Sequence, residues 1–514
     1  MLKNIVVPIC LVAIAVFALG CTHNFSELNT DPNGTTTAYP EQLLAPALVN
    51  ALTANMTRNR TFNNELMQVT VSQSEDETAV FRYNFPVSWS LYLYNALYSE
   101  LANFRDIYLL SSDSTSAQYN QSYMGISLIC QAWLFSILTD TYGDIPFSEA
   151  LLGRDSLNFT PKFDTQKDVY EGLFDYLEQA NTLLSTGTTI DGSYDPVFSG
   201  DVTQWRKFGN SLYLRLLLRV SGKSEVQDSC IAKIQEIVNN TSSYPIMTST
   251  SDAAILQWTG VGAYVSPWYS VRAQTFRSVA LCSFFIDYLN VWGDPLIDYA
   301  TYGTNGVCRW GIAPVSGSYA GVASGYLPGY GEDIQSYFYA IDETVNSVSP
   351  PSNCMQVEPL TGMMMNYAEL QFILCECASK GWITSTTAAT YYNNGVQARI
   401  TQWLSTWTVD VADYLTAADM SWDDSEDDST KMEKIQLQKY YALFCTDLQQ
   451  WFEYRRTGHP VLPKGAGLHN GGVMPARMQY PAYLLGSNPV HYAEAVADQG
   501  ADVISTQVWW QKSE

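Results

Sequence analysis

The sequence has few basic residues and very few histidines. Its 514 residues include 27 Lys and Arg against 51 Asp and Glu, which gives a formal net charge of −24, and only 4 His. Nucleic-acid binding needs clustered basic side chains that neutralise phosphates, and anionic lipid needs a basic patch. The composition therefore argues against both partners and is typical of a soluble, exposed protein.

Motifs of catalysis and metal binding are also missing. The sequence has no HExxH zinc motif and no GxSxG nucleophile elbow. Ten Cys are present, but no two form a CxxC pair, so we expect no zinc site. The acidic segment 423–428 lacks the glycine and spacing of a calcium loop, which favours a solvated loop. We expect no cofactor and no metal, and the cysteine spacing predicts no particular disulfide pairing.

The chain begins with a short apolar segment. Lys3 precedes an apolar run that ends at Leu19, and Cys21 follows. The run is shorter than the roughly 20 apolar residues of a membrane span, so it indicates a cleaved secretory signal. The Gly-Cys step resembles a bacterial lipoprotein signal, although Ala18 stands where such signals usually carry Leu. This resemblance implies a signal peptide at 1–20 and a lipid anchor on Cys21; the alternative is cleavage elsewhere, with Cys21 an ordinary thiol.

Apolar periodicity predicts a mainly helical chain after that segment. Residues 21–40 are predicted to be an extended tether, and residues 41–514 a single helical domain. Helical spacing predicts helices at about 89–110, 118–140, 166–185, 204–221, 226–240, 272–290, 364–380, 386–408 and 431–454. Loop-rich insertions near 241–271 and 291–358 interrupt the pattern, and loops this long are usually functional or disordered.

The last long helix carries a continuous apolar stripe. Its members are Leu437, Tyr441, Phe444, Leu448 and Trp451, spaced four, three, four and three residues apart. This spacing predicts that the stripe is buried in the core.

Two pairs of charged residues lie on predicted helices. Arg215 and Arg219 are one helical turn apart, which favours structural ion pairs over an anion site. Glu369 and Glu376 lie about 10 Å apart by helical rise, farther than a glycosidase pair. We therefore predict structural hydrogen bonding for both carboxylates.

Several motifs resemble one family when they are taken together and in order. They are Leu138–Ala150 (LTDTYGDIPFSEA), Pro161–Gln166, Asp201–Arg215, Tyr367–Glu376 and Gln438–Pro460. They resemble the SusD-like branch of the SusD/RagB-like nutrient-binding outer-membrane lipoproteins. The resemblance implies a mainly α fold of tetratricopeptide-like helix pairs with a long loop-rich irregular part. It also implies a lipid-anchored place on the cell surface at the outer membrane, as the lid of a SusC-like TonB-dependent barrel.

We expect binding rather than catalysis, with an oligosaccharide or an oligopeptide as the ligand. Aromatic faces suit either ligand, and the expected ligand-binding residues are Arg82, Tyr83, Trp89, Trp268, Trp310, Tyr326 and Tyr330. The first three lie where members of the resembled family carry ligand contacts. The alternatives are a secreted, surface-anchored glycosidase or peptidase, and a scaffold lipoprotein without a ligand.

Overall fold

A computed structural model describes residues 38–513 of the chain. The predicted signal peptide, Cys21 and nearly all of the predicted tether lie outside the described residues. The helices longer than five residues are α1 (Pro40–Arg58), α2 (Ser88–Ser112), α3 (Gln121–Tyr142), α4 (Gln166–Leu184), α5 (Val202–Val220), α6 (Ser224–Asn239), α7 (Ser283–Trp292), α8 (Tyr367–Ser379), α9 (Ala388–Trp403), α10 (Val411–Ala417), α11 (Asp428–Ala442), α12 (Gln449–Thr457) and α13 (Pro489–Gln499). Short helical turns lie at Asn64–Leu66, Gly153–Ser156, Ala273–Arg277 and Leu484–Ser487.

The strands are short and form two-stranded antiparallel ribbons. They are β1 (Thr70–Ser72), β2 (Ala254–Leu256), β3 (Val279–Leu281), β4 (Ile312–Ala313), β5 (Tyr337–Phe338) and β6 (Gly362–Met365). β1 pairs with β3, β2 with β6, and β4 with β5. Three of the six strands in residues 38–513, β2, β4 and β5, lie in the predicted loop-rich regions, which otherwise consist mainly of turns and irregular backbone.

Side-chain caps define where many helices begin. Asn120, Thr165, Asp201, Asn366 and Asp427 each accept a hydrogen bond from a backbone N–H in the first turn of the helix that follows. Such caps satisfy donors that have no partner inside the helix. Neighbouring helices then pack in pairs, α2 on α1 and α3, α4 on α3 and α5, and α8 on α9. The predicted fold class, mainly α with helix pairs and a loop-rich part, is confirmed.

Helix α3 lies at the centre of this packing. It is the one helix in the described range 38–513 that is long and apolar enough to cross a membrane, but 94% of its apolar window is buried inside the protein. Its apolar residues are therefore accounted for by core packing against α2, α4 and α5.

Two predicted helices are wrong in extent. The region 272–290 contains a short helical turn, then β3, then α7, because residues 279–281 pair with Thr70–Ser72. The predicted helix 431–454 ends at Ala442 and resumes at Gln449. Cys445 and Asp447 have positive φ in that gap, which a helix does not allow.

The apolar stripe continues across the break in the helix. Each member of the stripe, from Leu437 to Trp451, is at most 4% exposed. The Nδ2 group of Asn59 donates to the carbonyl oxygen of Asp447 over 2.7 Å, which helps to fix the irregular segment. The prediction of a buried stripe is thus confirmed, although the stripe spans two helices and the connection between them, which contains Phe444 and Leu448.

Buried ion pairs connect α5 with α8 and with α3. Arg215 bonds Glu369 at 2.6 Å, and Arg219 lies 3.1 Å from Asp140. Burial opposes ionisation of Glu376, but nearby Arg456 and other cations outweigh it and lower its pKa to about 2. The structural roles predicted for both arginines and both glutamates are confirmed.

Glu369→Leu is expected to lower the free energy of unfolding by about 3–5 kcal/mol, because it leaves the Arg215 guanidinium buried without its carboxylate. Urea denaturation measures the loss. The matched control is Asp106→Ala, which removes a surface pair with the 65%-exposed Arg154 and should cost at most about 1 kcal/mol. Equal losses in the two variants would contradict the structural role of the buried pair.

Candidate functional site: a cluster of loops

Three segments that are distant in the sequence meet beside the β1–β3 ribbon. The Tyr326 hydroxyl donates to the carbonyl oxygen of Ser72 over 2.9 Å. The backbone N–H of Gly467 donates to Gly325 over 2.7 Å, and that of His469 donates to Arg82 over 2.8 Å. We call these segments, residues 74–84, 322–331 and 464–470, the loop cluster.

Arg82 holds the first two segments together. It ends the 3₁₀ turn Val80–Arg82, and its Nε donates to the carbonyl oxygen of Tyr326 over 2.9 Å. A second guanidinium nitrogen donates to the carbonyl oxygen of Asp76. The guanidinium carbon lies 4.9 Å from the ring centroid of Tyr326, a cation–π contact. Burial raises the pKa of Tyr326, and the charge of Arg82 opposes that rise.

Glycines allow the third segment to approach the second. A Cβ on Gly465 would lie 2.2 Å from the carbonyl oxygen of Gly325, and one on Gly467 would lie 2.3 Å from that of Tyr326. Any other residue would force these backbones apart. The glycines of 464–470 therefore belong to the architecture of the cluster.

Tyr330 is the exposed aromatic residue of the loop cluster. Its side chain is 76% exposed, and the neighbouring Leu327 is also exposed. The turn that carries it is closed by a hydrogen bond of 3.0 Å from the Tyr330 N–H to Leu327, and the carboxylate of Glu75 accepts from the N–H of Gly329. The bond between Gly329 and Glu75 holds the Tyr330 turn against the first segment.

Several carboxylates belong to the segments next to this exposed turn. Glu75, Asp76 and Glu77 precede Arg82, and Glu332 and Asp333 follow Tyr330. The nearby His469 contacts Glu77 through Nε2 at 2.8 Å. This charge favours a neutral or cationic ligand and disfavours an acidic one.

Two predicted tryptophans are buried in the core instead. Trp310 is fully buried, stacked on Phe285 with ring centroids 5.7 Å apart, and it also contacts Phe444 at 5.1 Å. Trp268 is buried too, and its Nε1 donates to the carbonyl oxygen of Met56 over 3.1 Å. A fully enclosed ring has no face for a ligand, so the expectation for Trp310 is corrected to a packing role.

Tyr83 and Trp89 are less exposed than Tyr330. Tyr83 is buried in the left-handed region at φ 59°. Trp89 is half-buried at the start of α2, with the Arg58 guanidinium 4.8 Å from its ring centroid. The structure thus brings together Arg82, Tyr326 and the Tyr330 turn, but Arg82 and Tyr326 are themselves buried, at 0% and 9% exposed, and act as supports of the loops. Of these three residues only Tyr330 offers an open face.

Sequence reasoning missed Glu75, Leu327, His469 and the glycines that complete the cluster. The glycine-rich run 464–472 was the available signal, because such runs mark close backbone approach. Nothing in the sequence indicated that this run meets Tyr326. Within residues 38–513, no group of three His, Cys, Asp or Glu could hold a metal ion, and each Cys is free and buried.

The helix pairs and the loop cluster define a mainly helical, loop-rich protein, and comparison with known proteins gives the family. A model of the SusD-like family, described as "Starch-binding associating with outer membrane", matches residues 32–481. The chain belongs to this SusD-like family. Among curated proteins no sequence matches.

Solved structures share the fold over nearly the whole chain. A SusD homolog from Bacteroides uniformis is 23% identical with a TM-score of 0.74, over 93% of this chain and 100% of that one. A chitin-binding SusD homolog from Flavobacterium johnsoniae is 20% identical with a TM-score of 0.73, over 92% of this chain and 99% of that one. A protein from Bacteroides vulgatus described as a "putative outer membrane protein, probably involved in nutrient binding" is 24% identical with a TM-score of 0.71, over 92% of this chain and 100% of that one. At these identities the likeness establishes the fold, and the family model supports a nutrient-binding role at the outer membrane.

Proposed function

We propose that this protein captures oligosaccharides at the cell surface through the loop cluster and delivers them to a SusC-like TonB-dependent barrel. The observation that carries the proposal is the Tyr330 ring, 76% exposed on a turn tied to Glu75, in a chain of a family described as starch-binding. Sugar rings stack on such exposed aromatic faces, and the carbonyl and carboxylate groups beside them accept hydrogen bonds from hydroxyls.

An oligosaccharide suits the cluster better than the other ligand class considered, the oligopeptide. The family description favours a carbohydrate, and the surrounding carboxylates accept from hydroxyl donors. The same carboxylates, including Glu75 and Glu332, repel uronic acids and sulfated sugars. The proposed ligand is therefore a neutral or amino-containing oligosaccharide.

The proposed membrane arrangement has two parts. Cys21 carries the lipid that anchors the chain to the outer membrane, and the folded helical domain sits over the barrel as its lid. The family description supports the location of the protein at the outer membrane.

Tyr330→Ala is expected to weaken oligosaccharide binding about three- to tenfold, because it removes one stacking face and its buried area. Isothermal titration calorimetry with maltohexaose, cellohexaose and hexa-N-acetylchitohexaose gives the affinities. Tyr330→Phe keeps the ring and should bind within about twofold of wild type. Tyr299→Ala, at another exposed tyrosine, is the matched control and should bind like wild type. Wild-type affinity in a folded Tyr330→Ala protein would remove Tyr330 from the site.

A further inference from the structure

A narrow cavity lies on the face of the β1–β3 ribbon opposite Tyr326. Side chains alternate along strands, so Val71 and Ala280 pack with Tyr326, whereas Thr70 and Val279 point to the other face and line the cavity. The remaining lining residues are Arg60, Asn64, Trp268, Phe276, Phe338, Met355 and Phe444. Of these lining residues only Arg60 is charged, and the others are apolar or neutral.

A π-helical turn, Asn59–Asn63, places Arg60 in the cavity wall at the end of α1. The side chain of Asn63 donates to that of Gln450 over 2.7 Å, which fixes the turn to the start of α12. Turns of this kind occur frequently at functional sites. The position of Arg60 is therefore set by the local backbone and by a partner in a distant helix.

The charge of Arg60 is only partly compensated. Its guanidinium forms no hydrogen bond or ion pair with any other residue in the range 38–513, and burial lowers its pKa. Glu65 attracts it without an ion pair, and burial raises the pKa of Glu65 to about 7. That carboxyl is therefore about half protonated at neutral pH. Removing a charge from water without a close counter-ion is destabilising, so this site favours an anion.

Two buried polar groups beside Arg60 lack hydrogen-bond partners among the described residues. They are Oγ1 of Thr70 and Oδ1 of Asn64, on residues that are 5% and 3% exposed. Such groups in a native protein need an explanation, because leaving them unpaired costs free energy. The Thr70 hydroxyl can donate to a ligand, and a half-turn of the Asn64 amide presents its NH₂ group in place of its oxygen. With Arg60, these side chains offer three donor groups to one ligand.

The size and the wall of the cavity restrict the anion. The free space is about 30 Å³, which suits a monoatomic ion and is too small for sulfate or phosphate. Most of the wall is aromatic or aliphatic, including Trp268, Phe338 and Phe444. The edges of aromatic rings carry partial positive charge, so such a wall accommodates a large, weakly hydrated anion.

We propose that this cavity binds one halide ion, chloride in the native environment, as the counter-ion of Arg60. The guanidinium, the Thr70 hydroxyl and the Asn64 amide donate to the ion, and the aromatic wall shields it from water. A neutral water molecule accepts the same hydrogen bonds but leaves the charge of Arg60 uncompensated. The ion links the end of α1 to β1 of the ribbon. This site is separate from the loop cluster, and the inference does not depend on sugar binding.

The experiment measures stability while chloride replaces gluconate at constant ionic strength. Gluconate is too large for the cavity, and constant ionic strength keeps the screening of the acidic surface unchanged. Urea denaturation of the purified full chain should give a folding equilibrium constant that rises at least about fivefold between zero and about 0.1 M chloride, as mass action requires for a ligand of the native state. Stability that is independent of chloride overturns the inference.

Variants connect the chloride dependence to the cavity. Arg60→Gln removes the charge and should abolish the dependence, and Thr70→Val removes one donor at nearly unchanged shape and should reduce it. The matched control is Arg154→Gln, which removes a 65%-exposed charge and should keep the wild-type dependence. Wild-type chloride dependence in a folded Arg60→Gln protein overturns the assignment to this cavity.

Crystals of the wild-type protein grown in sodium bromide give a reading that needs no variant. Anomalous scattering should place a bromide ion in the cavity, within hydrogen-bond reach of Thr70 and Arg60. A water molecule at that position without an anomalous signal overturns the inference. Bromide binding at crystal concentration only, with no chloride dependence in solution, also overturns it.

Discussion

Cys21→Ala is expected to move the protein almost completely from the membrane fraction to the soluble fraction. Each buried CH₂ of an acyl chain contributes about 0.8 kcal/mol to membrane binding, and stable anchoring takes two signals, such as several chains on one residue. Within residues 38–513, only α3 is apolar and long enough to span a membrane, and it is buried in the core. The lipid on Cys21 is therefore the proposed attachment.

Fractionation of cells after a high-salt wash measures this redistribution. Cys230→Ala serves as the control, because Cys230 is a free, buried cysteine in α6 and its loss should leave attachment unchanged. Persistence of Cys21→Ala in the washed membrane fraction would contradict the lipid anchor. It would favour the alternative, in which Cys21 is an ordinary thiol.

Trp451→Ala is expected to lower the free energy of unfolding by about 3–5 kcal/mol, the usual cost of truncating a large buried aromatic residue. The ring is fully buried and packs edge-on to Phe62 with centroids 5.3 Å apart. The Arg455 guanidinium lies 4.0 Å from the ring centroid, and Nε1 donates to the carbonyl oxygen of Pro475 over 2.9 Å. The substitution removes all three contacts at the point where α12 meets the π-helical turn Asn59–Asn63 and the segment that contains Pro475.

Chemical denaturation at constant pH gives this value from the shift of the midpoint at an unchanged slope. Tyr119→Ala, at a 42%-exposed ring, is the matched aromatic control and should lie within about 0.5 kcal/mol of wild type. If Trp451→Ala lowers the free energy of unfolding by less than about 1 kcal/mol, the stripe from Leu437 to Trp451 is not part of the packed core.

The helical framework was largely predictable because its signals are local. Caps such as Asp201 and Asn366 and the apolar spacing of α2 to α6 act over a few residues. The break between α11 and α12 was not predictable, because the apolar spacing continues across it. Partners that are distant in the sequence fix the irregular segment, including the bond from Asn59 to Asp447.

The loop cluster was predictable only in part. Trp310 and Tyr330 lie in the same irregular region and have the same aromatic character, yet one is fully buried and the other is 76% exposed. The difference arises from tertiary packing, since Trp310 meets Phe285 of α7 while the Tyr330 turn is held by Glu75. Composition indicates which residues could stack on a ligand, but the fold of the loops decides which of them are exposed.

Calorimetric titration of the purified full chain with maltohexaose, cellohexaose and hexa-N-acetylchitohexaose tests the central claim most directly. The account predicts saturable binding of at least one of these oligosaccharides, recovery of the sugar without cleavage, and weaker binding to Tyr330→Ala. Absence of binding to all three sugars by a folded protein, or cleavage of the bound sugar, would contradict it.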